Sequence, residues 1–183
     1  LDGILMQVTN FKYEIIIHDD ASTDSTAKII KEYENRHPDL IKAIYQKENQ
    51  HSKGIKIGKF LLPFIRGKYR AACEGDDYWI DPHKLQKQVD ILENHPEYIG
   101  VAHNVKIIDE TGSETNIYRN IYPFFDDHVF TLGDAERGKM TGQTASRMWR
   151  NIDINMDKSI LESYYKCNTT GDQKASVYYT LFG

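Results

Sequence analysis

Two groups of carboxylates stand out by residue type and spacing. The pair Asp19-Asp20 follows the β-branched run Tyr13-Glu14-Ile15-Ile16-Ile17-His18, and Glu74-Gly75-Asp76-Asp77 follows the segment Lys68 to Cys73. Carboxylates gathered at one edge repel one another, at a cost to stability that a cation or a donor-rich ligand offsets. Hard oxygen ligands of this kind suit magnesium or manganese, which complete their shells with water and substrate phosphates. One reading is therefore a metal-assisted site for a phosphorylated ligand. The plainer reading makes these loop carboxylates that cap the helices after them, the role expected of Asp24 and Asp81.

Other motifs fail on inspection. Gly54-Ile55-Lys56-Ile57-Gly58-Lys59 has three residues between its glycines, one short of a phosphate loop, and Phe60 stands where Ser or Thr should follow the lysine. Asp20-Ala21-Ser22-Thr23-Asp24 opens like a calcium loop, but Ser25 replaces the turn glycine and Lys31 the bidentate glutamate. The seven histidines are scattered without metal-ligand spacing, which disfavours zinc. Asn168-Thr169-Thr170 is a glycosylation sequon without meaning in a cytosolic chain. No Gly-x-Ser-x-Gly elbow supports a serine hydrolase.

The elements that must position the acids follow from periodicity. Tyr13 to His18 reads as a buried strand, Asp19 to Asp24 as a loop, and Ala27, Ile29, Ile30 and Tyr33 as the apolar side of a helix ending before Pro38. Ile41 to Tyr45 is a second strand. Ile57, Phe60, Leu61, Phe64 and Ile65 recur at helical spacing, with Pro63 distorting the last turn and Gly67 closing it. Lys68 to Cys73 is a third strand. Asp81-Pro82 opens a helix with Leu85, Val89 and Leu92 on one face, which stops before Pro96. Ile99 to Ile108 is a fourth strand, with a turn at Thr111-Gly112.

Beyond Asn116 the pattern weakens. Tyr118 to Asp127 reads as a long loop, Met140 to Trp149 as a strand, and Lys158 to Lys166 and Asp172 to Leu181 as short helices. The β-α-β-α-β-α-β order predicts an α/β fold, a mostly parallel sheet flanked by helices. Both acidic groups then fall outside the carboxyl ends of strands, where open sheets of this class bind ligands. No repeat or linker interrupts the chain, so one domain is expected.

Composition agrees with a globular enzyme-sized chain. The 183 residues are 40% hydrophobic and 27% charged, and 23 basic against 27 acidic side chains leave a net charge of −4. That balance disfavours nucleic acid as the partner. Two cysteines, Cys73 and Cys167, make no disulfide framework, and each is expected as a small buried hydrophobe in a reducing compartment. No apolar run approaches the ~20 residues of a membrane span. Leu1-Asp2-Gly3-Ile4 lacks the basic start of a signal peptide, so a cytoplasmic location is expected.

Three stretches together resemble family 2 glycosyltransferases: Glu14-Ile-Ile-Ile-His-Asp-Asp-Ala-Ser-Thr-Asp-Ser-Thr26, Cys73-Glu-Gly-Asp-Asp-Tyr-Trp79, and Asp81-Pro82 with Lys84-Leu85-Gln86-x-Gln88-Val89. The resemblance is strong over about residues 1 to 110 and loose beyond. It implies the GT-A fold, a Rossmann-like sheet, and a nucleotide-diphospho-sugar donor, most often a UDP-sugar. On that resemblance residues 1–110 form the nucleotide-sugar-binding part and 111–183 the acceptor-side part of the same domain. Asp20 resembles the aspartate that holds the nucleobase, with Asp19 its structural neighbour. Asp76 would lie against ribose and metal shell, and Asp77 would ligate the manganese or magnesium that bridges the diphosphate. Glu74 stands where many members have Asp. Tyr78 and Trp79 are expected to pack under this loop.

Asp172, in Thr170-Gly171-Asp172-Gln173, resembles the base that deprotonates the acceptor hydroxyl in an inverting transfer, with N-capping as its alternative. Asp153 and Asp157 compete for that role with less context. Thr141-Gly142-Gln143-Thr144-Ala145-Ser146 resembles the acceptor-side segment, Thr141 and Gln143 above all, or is simply a half-buried strand. The resemblance also implies a carbohydrate or glycolipid acceptor, surface-polysaccharide or lipopolysaccharide assembly, and peripheral association with the inner face of a membrane. Two departures stand out. The family's first strand is missing, leaving Leu1 to Gln7 as the end of the helix after it, so residues upstream are expected. The usual Ala-Arg-Asn facing the phosphates is replaced by Ile57-Gly58-Lys59, leaving Lys53, Lys56 and Lys59 as candidates for its positive charge. A non-catalytic nucleotide-binding module and a nucleotidyltransferase are the alternatives.

Overall fold

The computed structural model describes residues 1–115, 128–152 and 171–181. In chain order the elements are α1 (Asp2–Leu5), β1 (Ile15–Asp19), α2 (Thr26–Arg36), β2 (Ile41–Tyr45), α3 (Gly58–Leu61), β3 (Tyr69–Ala71), α4 (Lys84–Asn94), β4 (Gly100–Val101), α5 (Leu132–Glu136), β5 (Met148–Arg150) and α6 (Gly171–Thr180). Single 3-10 turns lie at His51–Lys53, Leu62–Phe64 and Thr144–Ser146. The chain divides into two compact units, one made of residue 1 and residues 10–67, the other of residues 2–9 and the chain from Lys68 on.

The first unit is a β-α-β arrangement. β1 and β2 pair in parallel, Ile15 opposite Ile41 through to Asp19 opposite Tyr45. Ile15, Ile30 and Ile41 are its buried apolar residues, so α2 turns its Ile30 face to the strands. Ile29, expected on that face, is 46% exposed, because it sits a hundred degrees round the helix from Ile30. The helix ends where Pro38 disfavours helical backbone at His37. Glu34 on α2 accepts the amide of Ala43 at 2.9 Å and so satisfies part of the backbone of β2.

The predicted helix over residues 57–65 is shorter than its periodicity suggests. α3 holds four residues, then the chain tightens into the 3-10 turn that contains Pro63 and becomes extended at Ile65. Proline cannot donate to a preceding turn, and the helix ends there rather than at Gly67.

The second unit carries a three-stranded sheet in the order β3-β5-β4, with both pairs antiparallel. β3 and β4 therefore run parallel to each other, linked by α4, but β5 from late in the chain is inserted between them. The expected mostly parallel sheet is thus a mixed α/β arrangement: one parallel pair in the first unit and antiparallel ladders in the second. The strand predicted at Ile99–Ile108 pairs only over Gly100–Val101, plus a bridge from Ile108 to Glu114 across the Thr111-Gly112 turn. Asp109 fastens that turn by accepting the amides of Thr111 and Ser113. The strand expected over Met140–Trp149 is confined to Met148–Arg150, preceded by the 3-10 turn.

Leu92, Leu85, Met148, Tyr178, Tyr179 and Trp79, with Ala135 and Ala145, are the buried apolar residues of this unit among those described. Trp149 stacks on Tyr179 with centroids 4.3 Å apart. Gly100 admits that ring, since a Cβ there would lie 2.0 Å from Trp149 Cε3. The expected loop at 118–127, helix at 158–166, Cys167, the sequon at 168–170, and Asp153 and Asp157 lie outside the described residues.

Candidate functional site

In the first unit, Asp19 closes β1 and Asp20 opens the loop after it. Asp19 is buried at 5% exposure, and its Oδ1 has no hydrogen-bond partner among the described residues. An unsatisfied buried carboxylate oxygen is costly and needs an explanation beyond stability. Asp20 Oδ1 accepts the amide of Gln50 at 2.8 Å, and Oδ2 that of His51 at 2.9 Å. These amides hold its carboxyl below the usual carboxylate range. Asp20 is thereby the anchor of the His51–Lys53 turn. Between Asp20 and the start of α2, Ala21 adopts φ 61°, a left-handed conformation that an alanine rarely takes. Asp24 accepts the amide of Thr26 at 2.9 Å, but the N-cap position of α2 is Ser25, one residue later than expected.

The three lysine candidates also lie in this unit, all exposed. Lys53 is paired with Glu48, whereas no carboxylate pairs with Lys56 or Lys59 among the described residues.

In the second unit, the chain leaves β3 at Ala71 and enters the acidic loop. Glu74, Asp76, Asp77 and Tyr78 are exposed. The Asp77 carboxyl is pushed above its usual range, first by partial burial and then by the charge of Asp76. Two hydrogen bonds shape the loop: the Asp77 amide donates to Glu74 O at 3.2 Å, and Cys73 Sγ donates to Asp77 O at 3.5 Å. Cys73 is half-buried rather than the buried hydrophobe expected, and burial pushes its thiol up.

Trp79 packs under the loop as predicted, 7% exposed, with its indole Nε1–H donated to Ala145 O at 2.9 Å. Tyr78 does not; it is 58% exposed. Asp81 accepts the His83 amide at 2.9 Å and the Lys87 ammonium at 2.7 Å, capping the turn that leads into α4.

Among the described residues no three His, Cys, Asp or Glu side chains converge as a metal cluster. The Asp76–Asp77 pair, with its mutual repulsion and oxygen donors, fits a cation that takes the rest of its shell from water and phosphate.

Thr141 and Gln143 are half-buried. The Thr141 amide donates to Ser176 Oγ at 3.4 Å, and the two hydroxyls are also 3.4 Å apart. This ties the Thr141 segment to α6, on which Asp172 is the second residue, one helical turn before Ser176.

The α4 periodicity marks Leu85, Val89 and Leu92 as its apolar face, yet Lys84 and Gln88 are buried too. They are 4% and 3% exposed, and Gln7 is buried at 7%. The spacing of Leu85, Gln88 and Leu92 puts Gln88 on the apolar stripe, and that geometry is the signal that could have found it. Gln7 donates to Asp81 O at 2.8 Å and accepts the Leu85 amide at 3.0 Å, joining the segment after α1 to the start of α4.

Comparison with known proteins gives the family. The family model described as Glycosyl transferase family 2 matches residues 1–156. An uncharacterized protein of Mycobacterium tuberculosis is 48% identical over 115 residues, 62% of this chain and 32% of that protein. EpsE of Bacillus subtilis, named as a glycosyltransferase, is 38% identical over 167 residues, 85% of this chain and 58% of its own. TuaG of the same organism, named for teichuronic acid biosynthesis, is 35% identical over 81 residues, 44% of this chain and 30% of its own. The chain thus spans between about a third and three fifths of the length of these relatives. With the family model covering most of the chain and both acidic motifs at the ends of β1 and β3, the chain belongs to glycosyl transferase family 2.

Proposed function

We propose that the protein is an inverting glycosyltransferase that moves a sugar from a nucleotide diphosphate, in our reading a UDP-sugar, to a hydroxyl of a carbohydrate or glycolipid. Family membership together with the position of the two acidic groups after β1 and β3 carries this reading. Asp20 meets the nucleobase and Asp19 supports it. Asp76 and Asp77 hold a manganese or magnesium ion. When bound, that ion neutralises the charge developing on the leaving diphosphate. Lys56 and Lys59 are favoured over Lys53 for charge toward the diphosphate, because Lys53 is paired with Glu48.

Asp172 serves as the base. It takes the proton of the acceptor hydroxyl, the acceptor oxygen bonds to the anomeric carbon, and the bond from that carbon to the diphosphate oxygen breaks with its electron pair leaving on the nucleotide. Thr141 and Gln143 line the acceptor side. The name of TuaG, a teichuronic acid biosynthesis glycosyltransferase, favours a cell-surface polysaccharide as the context, and we place the reaction at the inner face of the membrane. No helix among the described residues is long and apolar enough to cross a membrane.

A thermal-shift titration of the full protein with UDP and GDP, with and without manganese, tests the donor half. Ligand that binds only the folded state raises the midpoint by mass action. A manganese-dependent shift with one nucleotide, lost in Asp77→Ala, is expected; no shift with either in folded protein overturns the reading. Asp172→Asn should abolish transfer while donor binding persists. Pyrophosphate release from a nucleoside triphosphate would point instead to nucleotidyl transfer, and binding without turnover to a non-catalytic module.

A further inference from the structure

Four contacts in the second unit close a circuit of buried groups. Lys84 Nζ donates to Gln88 Oε1 at 2.7 Å and lies 4.1 Å from the centroid of the Trp79 ring. Trp79 Nε1–H donates to Ala145 O at 2.9 Å, and Gln88 Nε2 donates to Ser146 O at 2.8 Å. Trp79, Lys84, Gln88, Ala145 and Ser146 are all buried, Ser146 completely. Three chain segments meet here: the end of the acidic loop, the first two turns of α4, and the turn before β5.

A helix built for stability alone would carry leucine or methionine at positions 84 and 88, because removing an ammonium from water costs more than its partners usually return. A buried polar network of this kind specifies one arrangement when complete and is costly when half-satisfied. Trp79 follows Asp77 by two residues, and its backbone is also pressed by α1: a Cβ on Gly3 would lie 2.4 Å from Trp79 O. The acids of the loop are exposed, and Trp79, two residues beyond Asp77, is the buried residue that follows them in the chain. A carboxylate pair is useful to a ligand only when held to within about 0.5 Å.

We propose that Lys84 and Gln88 are positioning residues, which clamp Trp79 against Ala145–Ser146 and so set the acidic loop 74–77 in place relative to the Thr141–Ser146 segment. The clamp is a statement about the fold; its effect on donor binding rests on the glycosyl-transfer reading above.

Lys84→Met, Gln88→Leu and Lys84→Arg test it, by amide hydrogen exchange on the full protein and by manganese affinity in the presence of UDP. Lys84→Met and Gln88→Leu should speed exchange across residues 73–79 by about tenfold, with the β1–β2 amides unchanged. Lys84→Arg, which keeps the cation and the donor, should restore protection. Half-saturating manganese should rise by about tenfold in Lys84→Met and return to within about twofold in Lys84→Arg. If Gln88→Leu fails to fold, Lys84→Met alone decides. Unchanged exchange at 73–79 in folded Lys84→Met, or loosening spread evenly over the whole unit with manganese affinity intact, overturns the proposal. Should the wild type bind no nucleotide while the exchange pattern appears, the clamp stands and the glycosyl-transfer reading falls.

Discussion

Asp20 Oδ1 accepts the Gln50 amide at 2.8 Å while its other oxygen accepts the amide of His51, so the residue assigned to the nucleobase also pins a turn 30 positions away. The two roles are separable because each carboxylate oxygen has a second lone pair. Asp20→Ala should lower Tm and abolish any nucleotide-induced shift. Asp20→Asn keeps one acceptor for the turn, so it should lose less than half as much Tm, yet lose the nucleotide-induced shift as fully. Equal retention of that shift in Asp20→Asn and wild type would make Asp20 a turn anchor alone.

The Asp77 carboxyl is held up by burial and then by Asp76. Asp76→Asn removes the second cause and leaves the first. The Asp77 midpoint, followed by carboxyl NMR without metal, should therefore fall toward its ordinary value without reaching it. A midpoint that does not move would mean that Asp76 does not act on Asp77, and the pair would lose its case as a shared cation site.

Much of this was legible in the residues. Ile15-Ile16-Ile17 and Ile41–Tyr45 could hardly be anything but strands, while Asp24 and Asp81 accept amides just ahead of helices whose N-cap positions are Ser25 and His83. The insertion of β5 between β3 and β4 was not legible, because pairing between strands nearly eighty residues apart leaves no local periodicity. Lys84 and Gln88 escaped for another reason: polar types are read as surface, and only the partners Trp79 and Ser146 make their burial tolerable. Tyr78 and Trp79 are neighbours of similar type and opposite placement, 58% against 7% exposed, which residue type alone does not distinguish.

Ala21 sits at φ 61° between Asp20 and the start of α2. A left-handed alanine costs about 1–2 kcal/mol, and a glycine there gives back about 0.4–1 kcal/mol through the freer unfolded chain. Ala21→Gly should thus stabilise the first unit slightly, by about 0.5–1 kcal/mol, seen as a small rise in the urea midpoint. A fall would mean that the methyl group packs usefully in this loop.

Asp134 is the acid-sensitive point of the second unit. It is 4% exposed, completes a capping box with Thr131, and faces His128, Arg137 and Lys139. The Lys139 ammonium first, then the Thr131 amide, hold its carboxyl far below the usual range. A depressed carboxylate stabilises the fold in full above its unfolded value of 3.8 and loses that contribution as pH falls toward the folded one. The Tm gap between wild type and Asp134→Asn should accordingly be constant from pH 5 upward and close below pH 3.8. A gap that persists unchanged at pH 2 would assign the effect to side-chain packing rather than charge.

Lys84 sets the opposite trend at high pH. Burial pushes its ammonium down to about 8 from 10.5, so between those values the unfolded chain holds a proton that the folded chain has released. Stability then rises with pH across that window. The full penalty, about 3 kcal/mol at roughly 1.4 per pH unit, applies below pH 8 and is gone above 10.5. Tyrosines titrate in the same range but are common to wild type and Lys84→Met, and Cys73, whose charge acts on Lys84, is changed to Ser in both. The difference in unfolding free energy between the two should therefore move in favour of wild type by about 3 kcal/mol between pH 7 and 10.5, measured in urea at each pH. A flat difference would mean that Lys84 stays protonated in the folded state, stabilised on the Trp79 face and by Gln88 more strongly than its burial opposes.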